Sequence, residues 1–185
     1  MATPTAHMNL SGLARKLVMD GLLTEVDAQA AQEQSSKKKI PFVTYLVDQN
    51  LVGSKDIASI AAHEFGVPLL DIEAIELDSD VTRLVDEKLV RQHNGLPLFK
   101  RGNRLFIAVS DPTNLVALDE IKFHVGANTE AVLVEEDKLK KAIEKAMSSA
   151  DNSFGDLDAD LEDLDIVSGE EADQDSGSDV DADDA

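Results

Sequence analysis

Cysteine is missing from this 185-residue chain, so neither a disulfide framework nor a thiolate metal site can be built from it. No apolar run approaches the roughly 20 residues that span a bilayer, and no membrane insertion is expected. Residues 1–9 lack the positive start and apolar centre of a secretory signal, which leaves the cytoplasm as the expected compartment. Basic side chains are missing from the last stretch, where Asp151 to Ala185 holds 15 Asp or Glu and no Lys or Arg. The formal charge of −20 is therefore a property of the tail, since residues 1–150 set 22 acids against 17 bases. That part has no basic stripe to hold a phosphate backbone, so no nucleic-acid partner is expected.

Phosphate loops are missing too. No Gly-x-x-x-x-Gly-Lys-Ser/Thr occurs, and no Gly-x-Gly-x-x-Gly follows a strand; the ten glycines stand singly at helix ends and turns. Nothing here supports autonomous nucleotide hydrolysis. His7, His63, His93 and His124 are isolated apart from the His63-Glu64 neighbours, which is not a metal-ligand spacing. Asp158 and Asp160 lack the glycine and terminal glutamate of a calcium loop. For nucleophilic catalysis only Ser110-Asp111 stands out, and Asp111-Pro112 reads better as a turn and cap than as an active site. The expectation is a non-enzyme with no cofactor and no metal.

What remains is a clear change of hydrophobic period. Up to Gly66 the chain reads as four short helices. The first runs from Gly12 to Asp20, capped by Ser11, stopped by Gly21 and striped by Leu10, Leu13, Leu17 and Val18. The second follows Thr24 and Asp27, an imperfect capping box, and has only Ala28, Ala30 and Ala31 to pack. Lys37 to Lys39 form a loop. Pro41 opens a third helix with Phe42, Tyr45, Leu46 and Val47 on its core side. Ser54 caps the fourth, striped by Ile57, Ile60, Ala61 and Phe65. A weak repeat relates Leu17-x-x-x-Gly21-Leu22-Leu23-Thr24 to Leu46-x-x-x-Asn50-Leu51-Val52-Gly53-Ser54. Two helical hairpins packed on each other would follow.

Beyond Gly66, Pro68 to Asp71, Leu96 to Phe99, Leu105 to Val109 and Ala131 to Val134 read as strands. Lys100-Arg101-Gly102-Asn103 makes a hairpin turn. Residues 86–93, Asn114 to Val125 and Glu135 to Met147 read as helices, the middle one striped by Leu115, Leu118, Ile121 and Phe123. Lys88, Arg91, Lys100, Arg101 and Arg104 gather around the hairpin, as a solvated rim or a surface for an acidic or phosphate group. The fold class is α+β: a disordered start over 1–9, a bundle of about four short helices over 10–66, a small α/β sandwich over 67–147 and a disordered acidic tail over 148–185. In that tail Phe154, Leu157, Leu161, Leu164 and Ile166 lie at nearly helical spacing among aspartates. A solvated linker is the preferred reading, and a motif that folds on a partner is the alternative.

The run Glu87-Lys-Leu-Val-Arg91, Leu96-Pro97-Leu98-Phe99, Gly102-Asn103-Arg104-Leu105 and Ala108-Val109-Ser110-Asp111-Pro112, continued by Leu118-Asp119-x-Ile121-x-Phe123-x-x-Gly126, carries a resemblance. So does the opening Leu13-Ala-Arg-Lys-Leu17-Val-x-x-Gly21-Leu-Leu-Thr24-Glu25. Over about residues 10–147 the chain resembles the N-terminal domain of type II secretion and type IV pilus assembly ATPases, the pilus extension ATPases above all. In that family the domain precedes a catalytic core with Walker motifs, so the chain looks like an N-terminal piece that regulates or docks the motor, with catalysis in a part not present.

Two functions are implied by that resemblance. Some members bind cyclic di-GMP through helices of the form Arg-Leu-Gly-x-x-Leu-x-x-x-Gly followed by Leu-x-x-x-Leu-x-x-Gln. Here Leu13, Leu17 and Gly21 are kept, but Gly12 stands for the arginine and Ala14 for the glycine. Downstream, Ala28 and Gln32 stand for the leucines and Ser35 for the glutamine. The second copy has Pro41, Phe42 and Val43 at its head, keeps Leu46 and has Asn50 for the glycine. Arg15, about one helical turn on, is the available substitute, so the alternative nucleotide residues are Arg15 and Gly21. The preferred reading is docking of a PilZ-type adaptor, itself able to engage a cyclic di-GMP receptor of the FimX type. The candidate residues are Leu10, Leu13, Leu17, Leu22, Leu23, Phe42, Tyr45 and Leu46. The rest of the pilus motor is the other expected partner, the piece alone is expected to be monomeric, and it would sit at the inner face of the membrane through the pilus machine.

Overall fold

A computed structural model describes residues 10–148; the expected disordered start and the acidic tail from residue 149, with its Phe154 to Ile166 motif, lie outside the described residues. The described chain has eight α-helices and a three-stranded mixed sheet, an α+β architecture.

The internal repeat is visible in the backbone. Helix α1 (Gly12–Met19) starts where Ser11 Oγ accepts from Ala14 N at 3.3 Å. It is closed by Gly21 at φ 76°, which lets Leu22 N donate back to Leu17 O at 3.0 Å. Helix α3 (Phe42–Asp48) closes the same way: Asn50 takes φ 54° and Leu51 N donates to Leu46 O at 2.9 Å. Asparagine is among the few residues that tolerate this left-handed position without glycine's freedom. Leu23 and Val52 then drop into the core at equivalent places.

The following helices start at equivalent positions but differ in their caps. Thr24 caps α2 (Glu25–Lys38), accepting from Asp27 N at 3.1 Å and donating to Asp27 Oδ2 at 2.7 Å. In the second copy Gly53 occupies the cap and Ser54 is already the first residue of α4 (Ser54–Phe65). The expected cap at Ser54 is therefore not formed. Its hydroxyl instead donates to Asp137 Oδ1 at 2.8 Å and accepts from Asp137 N at 3.3 Å. Lys37 and Lys38 finish α2 rather than forming a loop, and the turn falls on Lys39 at φ 55°. Ala28, Ala31 and Ser35 form α2's buried stripe at spacings of three and four, while Ala30 faces outward. Side chains this small leave room for α2 to lie against both α1 and α3.

The expected strand at Pro68 to Asp71 is reduced to a single bridge, Leu69 beside Leu133, held by Leu133 N to Pro68 O (2.9 Å) and Leu70 N to Leu133 O (2.8 Å). Proline brings no N–H to extend the ladder, and Asp71 at once accepts from Glu73 N to start a 3-10 turn over Ile72–Ala74. Helices α5 (Ser79–Thr82) and α6 (Glu87–His93) lead to β1 (Leu96–Arg101). A two-residue turn, Gly102-Asn103, joins β1 antiparallel to β2 (Arg104–Val109), with a register slip at Leu98. Pro97 is accommodated because β1 is an edge strand. Helix α7 (Leu115–Val125) crosses to β3 (Asn128–Leu133), parallel to β2, and α8, residues 136–148, follows.

Two hydrophobic clusters meet at β3. Val90, Leu96, Leu105, Ile107, Ile121, Val132 and Leu139 belong to one. Leu13, Leu17, Leu46, Val52 and Ile57 belong to the other, and Leu133 joins them. Successive residues of a strand point to opposite faces, so Val132 and Leu133 put one face of the sheet under its own helices and the other under the helical hairpins.

Candidate functional site

The eight candidate docking residues divide into two groups. Leu13, Leu17 and Leu46 have no exposed surface and Leu23 is buried. These four hold the helical core together and are not available to a partner, which corrects their assignment to an interface. Leu10, Leu22, Phe42 and Tyr45 are half-buried and pack against the rim of that core. Tyr45 also carries Lys38 Nζ over its ring at 5.3 Å. What the helical half offers a partner is thus a rim of mixed aromatic and aliphatic character.

The alternative nucleotide residues are not brought together in one arrangement. Arg15 is exposed, and its guanidinium donates to Leu10 O at the long distance of 3.5 Å. Gly21 is six residues on, past the end of α1. Nothing lies within 4 Å of the place its Cβ would take, so it serves the left-handed turn rather than a close approach. At the motif position for arginine, Gly12 lies against Phe65 and Thr113, with their carbons 3.7 and 3.8 Å from its ideal Cβ. At the motif position for glycine, Ala14 is fully buried. Downstream, Ala28 is core and Ser35 is spent on a hydrogen bond to Gln32 O at 3.0 Å.

The basic residues around the hairpin find local work. Arg91 pairs with Glu87, Arg104 with Glu130 at 2.8 Å, and Arg101 lies 5.5 Å over the Phe99 ring, which stacks on Phe106. Asp111 accepts from Thr113 N and Oγ1 at 2.9 and 2.6 Å, the turn expected of Asp111-Pro112, and burial pushes its carboxyl above the usual range. Among the described residues no three His, Asp or Glu come together as metal ligands, and no helix is long and apolar enough to cross a membrane.

Two features were not foreseen. Glu136, within an acidic run that reads as an ordinary first helical turn, is 1% exposed. Thr44 Oγ1 and Asn94 Nδ2 each donate to it at 2.7 Å, and Ser110 adds a third bond. Burial drives its carboxyl above the usual range, with the Ser110 and Thr44 hydrogen bonds acting in the opposite sense. Lys140, paired with Asp48, stands close by. The other feature is α7. Its core side is Ala117 and Ile121, with Leu118 half-buried, whereas Leu115, Val116 and Phe123 are 64, 65 and 92% exposed. The expected stripe through Leu115 and Phe123 is therefore wrong. The signal was present: a helix apolar on all sides must leave one side uncovered unless it is wholly enclosed.

A pair of helical hairpins lying on one face of a mixed sheet with a crossover helix is shared by known domains. The MshEN domain model matches residues 65–153. A structure of MshE with cdg overlays on 72% of this chain and 97% of that one, with a TM-score of 0.53 at 21% identity. The N-terminal domain of XpsE covers 71% of this chain and 91% of its own, with a TM-score of 0.56 at 20% identity. At these identities the overlays establish the fold alone. The sequence comparison goes further: 43% identity over 179 residues to the type IV pilus assembly ATPase PilB of Pseudomonas aeruginosa, and 34% over 167 residues to that of Acinetobacter baylyi. These alignments take in 96 and 88% of this chain but only 31 and 29% of the relatives. The chain carries an MshEN domain. It is the N-terminal domain of a PilB-type ATPase.

Proposed function

We propose that the chain is a non-catalytic regulatory and docking domain of a cytoplasmic type IV pilus extension ATPase, and that its helical half binds a PilZ-type adaptor. ATPase activity then belongs to the portion of the relatives that this chain does not span. The observation that carries the reading is the state of α1. Gly12 and Ala14 occupy the arginine and glycine positions of the nucleotide motif, and Ala14 has no surface at all. A dinucleotide phosphate needs both a guanidinium and close backbone approach. The half-buried rim of Leu10, Leu22, Phe42 and Tyr45 suits a protein anchor instead. Leu133 ties the helical half to the sheet and the Thr44–Glu136 bond ties it to α8, so a bound adaptor would bias both halves together. Through the adaptor a FimX-type receptor would bring the second messenger to the motor without contacting this domain.

Direct binding of cyclic di-GMP is the second reading, favoured by the exposed Arg15 guanidinium and by the MshE structure with cdg. Calorimetric titration of residues 1–185 with each ligand separates the two. Saturable heat with the adaptor, weakened by Leu22→Ala and Tyr45→Ala but not by Arg15→Ala, supports docking. Saturable heat with cyclic di-GMP that Arg15→Ala abolishes overturns it in favour of a nucleotide sensor.

A further inference from the structure

The uncovered side of α7 does more than expose three apolar residues. Phe123 stands beside a depression of about 690 Å³ between α6 and α7, lined by Leu89, Val116, Asp119, Glu120, Phe123 and His124. Leu89, Val116 and Phe123 make its lining largely apolar, and that lining contains two carboxylates and no Lys or Arg. Glu120 is engaged by His93, whereas Asp119, between Val116 and Phe123 on the same helical face, has no ion-pair partner among the described residues. Val116 to Phe123 spans about 10 Å at about 1.5 Å per residue, two turns of a second helix laid alongside.

We infer that this groove docks an amphipathic helix of a partner protein, one that presents apolar residues flanked by Lys or Arg. The apolar anchors would sit over Leu89, Val116 and Phe123, in the manner of a helix in a groove, and a basic residue would meet Asp119. The charge argues against other occupants. A second copy docked face to face would bring Asp119 and Glu120 against their own equivalents, and an anionic lipid surface would meet the same carboxylates. None of Leu10, Leu22, Phe42 and Tyr45 lines this groove. The surface is therefore separate from the adaptor site proposed above and stands without it.

The test is a titration of isotope-labelled 1–185 chain with two designed amphipathic peptides, one of leucine and lysine, the other of leucine and glutamate, followed by amide shifts. The lysine peptide is expected to bind saturably and to move Leu89, Val116, Asp119 and Phe123. Phe123→Ala should weaken it about tenfold or more, and Asp119→Lys should transfer the preference to the glutamate peptide. Because both side chains are exposed, unchanged thermal unfolding certifies each variant as folded. Equal binding of the two peptides, shifts on other residues, or indifference to Phe123→Ala would overturn the proposal. So would self-association in sedimentation, or capture by anionic vesicles, that disappears in Phe123→Ala; these would give the face to a second copy or to a membrane. Loss of the groove leaves adaptor binding at Leu22 and Tyr45 intact, so failure of either idea is visible alone.

Discussion

Thr44 donates its hydroxyl proton to Glu136 Oε1 at 2.7 Å, across 92 residues of sequence and from a helical hairpin to the first turn of α8. Both groups are buried. Thr44→Val keeps the shape but removes a donor from a carboxylate that water cannot reach. It should lower stability by about 1–3 kcal/mol in urea unfolding. In a Glu136→Gln background the loss should shrink, because the charge that needed the donor is gone. Equal losses in both backgrounds would mean that the pair is not coupled.

The same carboxyl sets a pH dependence. Burial raises its folded value above the ordinary 4.5, helped by Asp48 and opposed by Ser110, Thr44 and Lys140. The folded state therefore holds its proton more tightly than the unfolded state, and folding takes up a proton in the window above 4.5. Stability from this group is fully present below that window and falls as pH rises through it to the folded value. Asp111 is shifted in the same direction, so the whole-protein curve mixes the two. The difference between wild type and Glu136→Gln isolates Glu136: the wild type should lose ground relative to the variant as pH rises through the range above 4.5. A flat difference across that range would refute the assignment.

Leu133 is the one β3 side chain enclosed by the helical hairpins. Leu133→Ala should cost about 2–5 kcal/mol, the range for a fully buried leucine that leaves a cavity. Hydrogen exchange should show the loss first in the amides of α1, α3 and α4, with β1 and β2 retaining protection longer. Uniform loss everywhere would mean that the helical half has no independent opening.

Parts of this architecture were legible before any coordinates, and the reason is locality. The Leu17–Gly21 and Leu46–Asn50 closures depend on residues within one turn of each other, so spacing and a glycine or asparagine suffice to read them. The pairing of β1 with β2 is also local, through Gly102-Asn103. Glu136 is the opposite case: its burial is decided by Thr44, Asn94 and Ser110, none of them near in sequence. Ile121 and Phe123 lie two residues apart on a helix whose seven apolar residues are spread around its axis, and only the position of the sheet decides which is inside. The same limit applies to the docking residues. Leu13 and Leu22 look alike as letters, and the hairpin packing alone makes the first core and the second rim.

Gly95, between α6 and β1, is buried, and a Cβ there would meet Ile121 Cδ1 at 3.3 Å and Ile107 Cγ2 at 3.4 Å. Gly95→Ala should cost about 1–3 kcal/mol through overpacking, since both neighbours are themselves fully buried and have little freedom to yield. Ile121→Val removes the closer atom and alone should cost about 0.5–1.5 kcal/mol. Combined, the methyl group added at 95 occupies space vacated at 121, so the double variant should be more stable than the sum of the two losses allows. Thermal unfolding of the four proteins gives the coupling directly. Additive losses would show that the contact at Gly95 is relieved by backbone movement rather than by the Ile121 side chain, and that β1 is less firmly seated against α7 than its burial suggests.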